Sequence, residues 1–538
     1  MKLEFESALK RIVAEDLRGN NPVPDILGFL HLRHLFGSDF FSRLKALLRE
    51  YKEKKGIPGS LLKIDVPKAN FTIRPMARPI TEDWLIYESI IDYLSKRILN
   101  KNKKICKRSF SILNFKTLKG KRTDAWLKYD EMSRDFYKKK YGFAVTTDIT
   151  GYYENINLDE LRKRIIDYLI GDNDGEKMTE VLFILLKKWS DERVSGYGLP
   201  QGPSASSFLA DIYLDYIDRR MEKYKGYIRY MDDIRIFCEK EIKAKISLKD
   251  LTIALRELKL NINAKKTAIL SGKEIEEKLF DPYKLQLNTI ETIMKSRNGK
   301  LIEEAVIPSL MNLIEIAFSS NDAFEKTHLN FALYRLGILH NSGINFDKTR
   351  VIKNIQENFV SKPHHTGLFC DFLSLFPNVG RIPKFLISFL KSKNNIYEWQ
   401  ELKVLQSLLR FNFKANQSDI DFFLNSAQNS NKNFAIRAFY FLLAGKHGSN
   451  RDRNLIIDSY DILPNIYTKM AVILSVQELG VPTRNDFYAR IKRSEKNEDI
   501  NRFVEYVKSL SRHVYFLTTE RPKIETYKEF EKPFYESI

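Results

Sequence analysis

At 538 residues, with Lys+Arg 89 against Asp+Glu 69, the chain is too long for a single core and carries a formal charge of +20. Hydrophobic content of 43% and aromatic content of 12% exclude a disordered polymer. The absence of any apolar run of spanning length excludes a helical membrane bundle, and three scattered cysteines (Cys106, Cys238, Cys370) exclude a disulfide framework or a cysteine zinc site. What remains is a multidomain globular protein in a reducing, cytoplasmic setting, with a polyanionic partner.

In chain order, residues 1–60 read as helical. "MKLEFESALKRIVAEDL" has an amphipathic helix pattern and no signal-peptide core, and "KKGIPGS" (54–60) breaks the segment. Residues 61–275 mix short strand patterns with helices, as an α+β domain does. Between Lys96 and Lys140 there are 16 Lys/Arg and 4 Asp/Glu, a local charge of 16 − 4 = +12. Phe110, Phe115, Trp126, Tyr129, Phe136 and Tyr137 are interleaved with these cations. Cations that neutralise phosphates beside aromatic faces that stack on bases suit single-stranded or hybrid nucleic acid. From 301 to 538 the pattern becomes a succession of helix-period segments, such as "FAIRAFYFLLAGKHG", which fits an all-α stacked repeat.

Three stretches of the middle region carry chemistry. "FAVTTDITGYYENI" (143–156) puts Asp148 at the end of an apolar strand, before a turn at Gly151. "GYGLPQGPSASSFLADIYL" (196–214) is a glycine- and proline-rich loop running into a helix of small residues. "YIRYMDDIRIF" (227–237) reads as one β-strand with Asp232 and Asp233 in its middle, where two adjacent carboxylates need a cation to be tolerated. One acid ending a strand and an acid pair on its neighbour can converge on two divalent ions, the arrangement that serves in-line phosphoryl displacement. Magnesium (Mg2+) suits the site because it is hard and prefers carboxylate oxygen; manganese (Mn2+) is the substitute.

These stretches, taken together, resemble the palm motifs of reverse transcriptases. "LNINAKKTAIL" (260–270) is similar to the segment after the catalytic hairpin in group II intron and retron enzymes, and "IRPMARPITEDWLIYESI" (73–90) to their fingers. The resemblance implies right-hand polymerase fingers and palm on an antiparallel sheet. Asp148, Asp232 and Asp233 would be the catalytic metal ligands, and Tyr153 the steric gate that favours deoxynucleotides. Gln201 and Gly202 would shape the nucleotide pocket and Lys266 would sit near the triphosphate. Arg74 and Arg78 are fingers candidates for phosphate contacts.

Departures narrow the type. No spaced acids supply an RNase H domain, and no His or Cys cluster supplies a maturase endonuclease. "HH" at 364–365 lacks nearby Cys or acid ligands in the sequence and reads as loop chemistry. Arg512–His513 lack the spacing of a nuclease pair. A palm followed by a long helical domain looks like the bacterial abortive-infection reverse transcriptases of the AbiK and AbiA type. That resemblance implies 1–60 as an N-terminal helical extension of the fingers, 61–300 as fingers and palm, and 301–538 as a HEAT-like domain. It further implies a homo-oligomer, anti-phage defence, and DNA synthesis from dNTPs primed on a protein hydroxyl, with either no template or a noncoding RNA template. Tyr51, Tyr527 and Tyr535 are candidate primers. The alternatives are a maturase-like or retron-like RNA-binding enzyme and an RNA-dependent RNA polymerase.

Overall fold

The computed structural model describes residues 3–17, 39–101, 108–111, 122–139, 141–296, 304–319, 324–510 and 513–515. They divide into two compact units that interleave along the chain. The first comprises Met1–Ile12, Phe41–Lys63 and Ala77–Leu285, and the second Val13–Phe40, Ile64–Met76 and Gln286–Ile538. A two-stranded sheet of β1 (Leu62–Pro67) and β2 (Ile73–Arg78) carries the chain between them, β2 changing unit between Met76 and Ala77.

The first unit is built on a four-stranded antiparallel sheet in the order β4-β5-β3-β6, from β3 (Phe143–Thr147), β4 (Gly226–Tyr230), β5 (Asp233–Cys238) and β6 (Ala268–Ser271). The expected antiparallel palm sheet is therefore present. The stretch 227–237 corrects the expectation of one strand. It is two strands, paired Tyr230↔Asp233 and joined by the two-residue turn Met231–Asp232. The β-branched pattern on either side is real, but Met231 takes φ 53°, which reverses the chain.

Both faces of the sheet are covered. On one, Ala144, Ile228, Phe237 and Leu270 form a core with Tyr129 and Phe136 of the helix Arg122–Lys138 and Ile275 of the helix Lys273–Leu279. On the other, the alternate residues Val145, Tyr227, Ile234 and Ile236 are buried, with the helices Ser204–Met221 and Glu241–Glu257 nearby. Fourteen residues of the helix Ser204–Met221 are buried, which its small residues Ser204, Ala205, Ser206 and Ala210 permit.

This packing corrects the reading of the basic stretch. Tyr129 and Phe136 are core residues, and Phe110 and Tyr137 pack against them, so these four rings are committed to the fold. Phe115 lies outside the described residues. Trp126, 40% exposed, keeps an open face. Several cations are also paired, among them Arg97 with Asp172 and Arg134 with Asp130.

Tyr51 is likewise no free hydroxyl. It is buried and donates to Asp83 Oδ1 at 2.5 Å, while Asp83 Oδ2 accepts the Gly59 N–H at 2.7 Å. The other two primer candidates, Tyr527 and Tyr535, lie outside the described residues.

The described part of the second unit is helical apart from its β1–β2 segment. Successive helices pack on neighbours close in sequence: Phe434–His447 lies against Gln417–Gln428 before it and Ile466–Ser475 after it. Asn caps start several of them, including Asn416, Asn433 and Asn465. At Gly445 the helices touch backbone to backbone, since a Cβ there would lie 2.2 Å from the Ser475 carbonyl oxygen. Among the described residues of both units, no helix is long and apolar enough to cross a membrane.

Candidate active site

The register of the sheet gathers the acids at one end. Thr147 pairs with Ile234, so Asp148 follows β3 at the level where the β4–β5 turn presents Asp232 and Asp233. Beyond β3 the chain is held by main-chain bonds: Asn263 N–H donates to the Asp148 carbonyl at 2.8 Å and Thr150 N–H to the Asn261 carbonyl at 2.9 Å. That ladder brings the 260–270 segment alongside Asp148. Lys266 accordingly pairs with Asp148 Oδ2, its own side chain being 67% exposed. The other oxygen, Asp148 Oδ1, is buried and has no hydrogen-bond partner.

Asp233 is engaged differently. Tyr129 Oη donates to its Oδ1 at 2.7 Å, and Arg235 Nε lies 3.8 Å from the same oxygen. Arg235 also stacks over the Tyr129 ring at 4.6 Å. Burial pushes the Tyr129 hydroxyl up, the Arg235 charge opposes that, and the acids Asp233 and Asp232 add to it. Tyr129 therefore stays a donor. Sequence reading assigned this tyrosine to base stacking and so missed it as a partner of the acid. The available signal was its place on the apolar stripe of the helix Arg122–Lys138.

The three acids share an end of the sheet without closing into one cluster. Among the described residues, only Glu325, His364 and His365 bring three ligand atoms within 4.8 Å of one another. The physical reason is visible in the contacts: Lys266 holds one acid, while Tyr129 and Arg235 draw another to the face of the sheet that they cover.

The remaining candidates surround this end. Tyr153 begins the 3-10 turn Tyr153–Asn155, half-buried, with its hydroxyl 3.2 Å from Ser207 Oγ on the helix Ser204–Met221. Its neighbour Tyr152 is buried and donates to the Ala210 carbonyl of the same helix. Gln201 is held through its carbonyl, which accepts the Ala77 N–H at 2.8 Å. Gly202 has φ 147°, a conformation that favours glycine and lets the loop turn into the helix. Glu88 fixes that helix start: its Oε1 accepts the Ala205 N–H at 3.0 Å and its Oε2 pairs with Arg11 at 2.9 Å.

Arg78 is buried with its guanidinium 4.6 Å from the Trp84 ring centroid. Arg74 is exposed and belongs to the second unit, whereas Arg78 belongs to the first. The two fingers cations are thus not brought together as a pair within one unit.

The His364–His365 pair also needs correction, because an acid does lie beside it. Glu325 Oε1 is 3.1 Å from His365 Nε2 and 3.7 Å from His364 Nε2. The same oxygen accepts from the buried Lys362 ammonium at 2.9 Å. Lys362 already neutralises the glutamate, so the cluster is a closed ion pair lined by histidine. Burial, with His364, Lys326 and Lys362 adding, pushes His365 down to about 3.

Residues 61–300 match the protein family described as "Reverse transcriptase (RNA-dependent DNA polymerase)", and this part of the chain is a reverse transcriptase domain. Solved structures similar to the chain include apo telomerase from Candida tropicalis, with TM-score 0.33, 13% identity, and coverage of 68% of this chain and 74% of that one. Another is telomerase from Candida albicans in complex with a fragment of telomeric RNA, at TM-score 0.32, 11% identity, and 83% and 72% coverage. Overlaps and identities this low add no weight to the assignment. Comparison with curated proteins gives no significant match.

Proposed function

We propose that this reverse transcriptase domain is an active DNA polymerase, extending a 3′-hydroxyl with deoxynucleoside triphosphates in the presence of Mg2+. The observation that carries the reading is Asp148 Oδ1, a buried carboxylate oxygen without a partner, beside the turn that bears Asp232. Such an oxygen is costly to bury, and a hard divalent cation is the ligand that would satisfy it. Asp148 and Asp232 would hold the metal, with Asp233 adding charge while tied to Tyr129. When bound, a divalent ion supplies charge neutralisation to the attacking and leaving oxygens.

The chain's own residues do the rest. Lys266, exposed and on Asp148, is within reach of a triphosphate entering the same end of the sheet. Tyr153, braced by Ser207, would exclude a ribose 2′-hydroxyl. Gln201 and Gly202 would line the nucleotide pocket, Arg74 would offer a cation from its exposed position, and Arg78 would steady the fingers through Trp84. The exposed cations of the +12 stretch and Trp126 would face nucleic acid.

The finer biological reading rests on the resemblance to abortive-infection enzymes: anti-phage defence in a bacterial cytoplasm, a HEAT-like helical domain joining subunits into a homo-oligomer, and synthesis primed from a protein hydroxyl. Asp232→Asn keeps the side-chain shape and removes the charge. Purified Asp232→Asn protein should fail to incorporate labelled dNTPs; incorporation at the unaltered rate would refute the assignment. In the same assay, label that survives denaturation on the protein and is released by DNase supports protein priming. Label found only as free DNA rules it out. Loss of product after RNase points to an RNA template.

A further inference from the structure

We propose that Arg229 is a positioning residue that sets the backbone of the acid-bearing turn, a role that rests on the polymerase reading above. Arg229 is on β4 and wholly buried. Its Nε and one terminal nitrogen donate to the two Asp218 carboxylate oxygens at 2.8 and 2.9 Å. Its other terminal nitrogen donates to Asp211 Oδ1 at 2.5 Å. That same nitrogen donates to the main-chain carbonyl of Met231 at 3.2 Å. On the other side of the turn, the Met231 N–H donates to Ser111 Oγ at 3.4 Å, and Ser111 Oγ donates to Asp211 Oδ1 at 2.7 Å.

Both polar groups of the Met231 backbone are therefore tied to one network, rooted in two acids of the helix Ser204–Met221. Met231 is also the residue at φ 53°, a conformation that side chains other than glycine avoid and that persists only where surroundings impose it. Asp232 is next in sequence. Any relaxation of Met231 turns the peptide that carries Asp232 and swings its carboxylate away from Asp148. Charge neutralisation alone would not need the Met231 contact. A planar guanidinium is required to serve two carboxylates and a carbonyl at once, and a lysine ammonium cannot span them.

The sequence held a signal for this. Arg229 is a charge inside a strand whose neighbours Ile228 and Tyr227 are buried, and Asp211 and Asp218 are seven positions apart on one face of an otherwise buried helix.

The test uses the full chain with Arg229→Lys, Ser111→Ala, and each combined with Met231→Gly. Arg229→Lys should lower turnover by about 100-fold with the KM for dNTP nearly unchanged, because the reacting geometry is lost while binding is kept. Amide hydrogen exchange at residues 231–234 should quicken. Met231→Gly, which adopts positive φ freely, should restore part of the turnover; a purely structural arginine would show no such rescue. Ser111→Ala should move the same readouts in the same direction by a smaller factor. Should Arg229→Lys not fold, Ser111→Ala decides: unchanged turnover and unchanged exchange at 231–234 overturn the proposal. If the unaltered chain makes no DNA, the polymerase reading fails, and exchange at 231–234 still decides whether Arg229 holds the turn.

Discussion

Buried charge is handled differently in the two units. In the sheet-bearing unit the buried charges are carboxylates met by arginine and tyrosine: Asp211 and Asp218 by Arg229, Glu88 and Asp92 by Arg11, Asp83 by Tyr51. In the helical unit the buried titratable groups include histidines held neutral beside lysines, as at His365 with Lys362 and at His447 with Lys446. Every histidine among the described residues belongs to the helical unit. Arginine–carboxylate pairs fix geometry, which a site that must aim an acid requires; neutral histidines fill a core and leave it sensitive to acid.

The widest separation between the units should come from Asp148→Asn. It removes a charge that only the site uses, so DNA synthesis should fall by about 1,000-fold, several kcal/mol of transition-state stabilisation. Calorimetric melting should stay close to that of the unaltered chain. Loss of both together would mean that Asp148 is structural.

Gly445→Ala should do the reverse. Its Cβ would meet the Ser475 carbonyl oxygen at 2.2 Å, so two helices must move apart, at about 3 kcal/mol. Protection of amides in Phe434–His447 should drop while those in β3 and β5 keep theirs. An unchanged denaturation midpoint would show that the helices tolerate the shift.

Tyr153→Ala lies within the sheet-bearing unit and should cost little stability. Its effect is expected on nucleotide choice, with the deoxy-to-ribo preference falling by about tenfold or more in competition assays. A preference that stays put would place discrimination elsewhere.

The smallest effect is in pH. His365 and His447 lie near 3 and 4 in the folded chain against 6.5 unfolded, because burial and neighbouring lysines disfavour their charge. Below 6.5 the unfolded chain takes up protons that the fold excludes, so the helical unit loses stability as pH falls from about 6.5 toward 3. Asp92 runs the other way: burial raises it from 3.8 to about 6. Its contribution is full below 3.8 and lost as pH rises through about 6. Hydrogen exchange at pH 7 and 4.5, corrected for intrinsic rates, should therefore show protection falling in Thr366–Leu373 relative to Thr81–Lys101. Equal change in both would break the contrast.

What could be read in advance follows the same division. Asp148, Asp232 and the Gln201–Gly202 loop stood out because their chemistry is packed into short segments, and the antiparallel sheet was implied by the resemblance those segments carry. The break at Met231 was invisible, since no glycine or asparagine marks the positive φ and it is imposed by Arg229, two positions earlier, through acids far away in sequence. Tyr129 looked like a stacking ring because composition cannot say which side of a helix faces a sheet. Glu325 lies 40 residues from His365, and nothing local couples them.

The interleaving of the two units has a consequence for biosynthesis. Ile64–Met76 belongs to a unit whose largest part, Gln286–Ile538, is made more than 200 residues later. One of its contacts, the Tyr397 hydroxyl on the Phe71 carbonyl, spans 326 positions. At ordinary translation rates the earlier segment waits on the order of 20–60 s for its partner to leave the ribosome. Over that interval it is an unpaired hairpin attached to a domain that can already fold. Ribosome-associated chaperones should therefore meet the nascent chain there, and slowing translation beyond residue 285 should lower the yield of soluble protein.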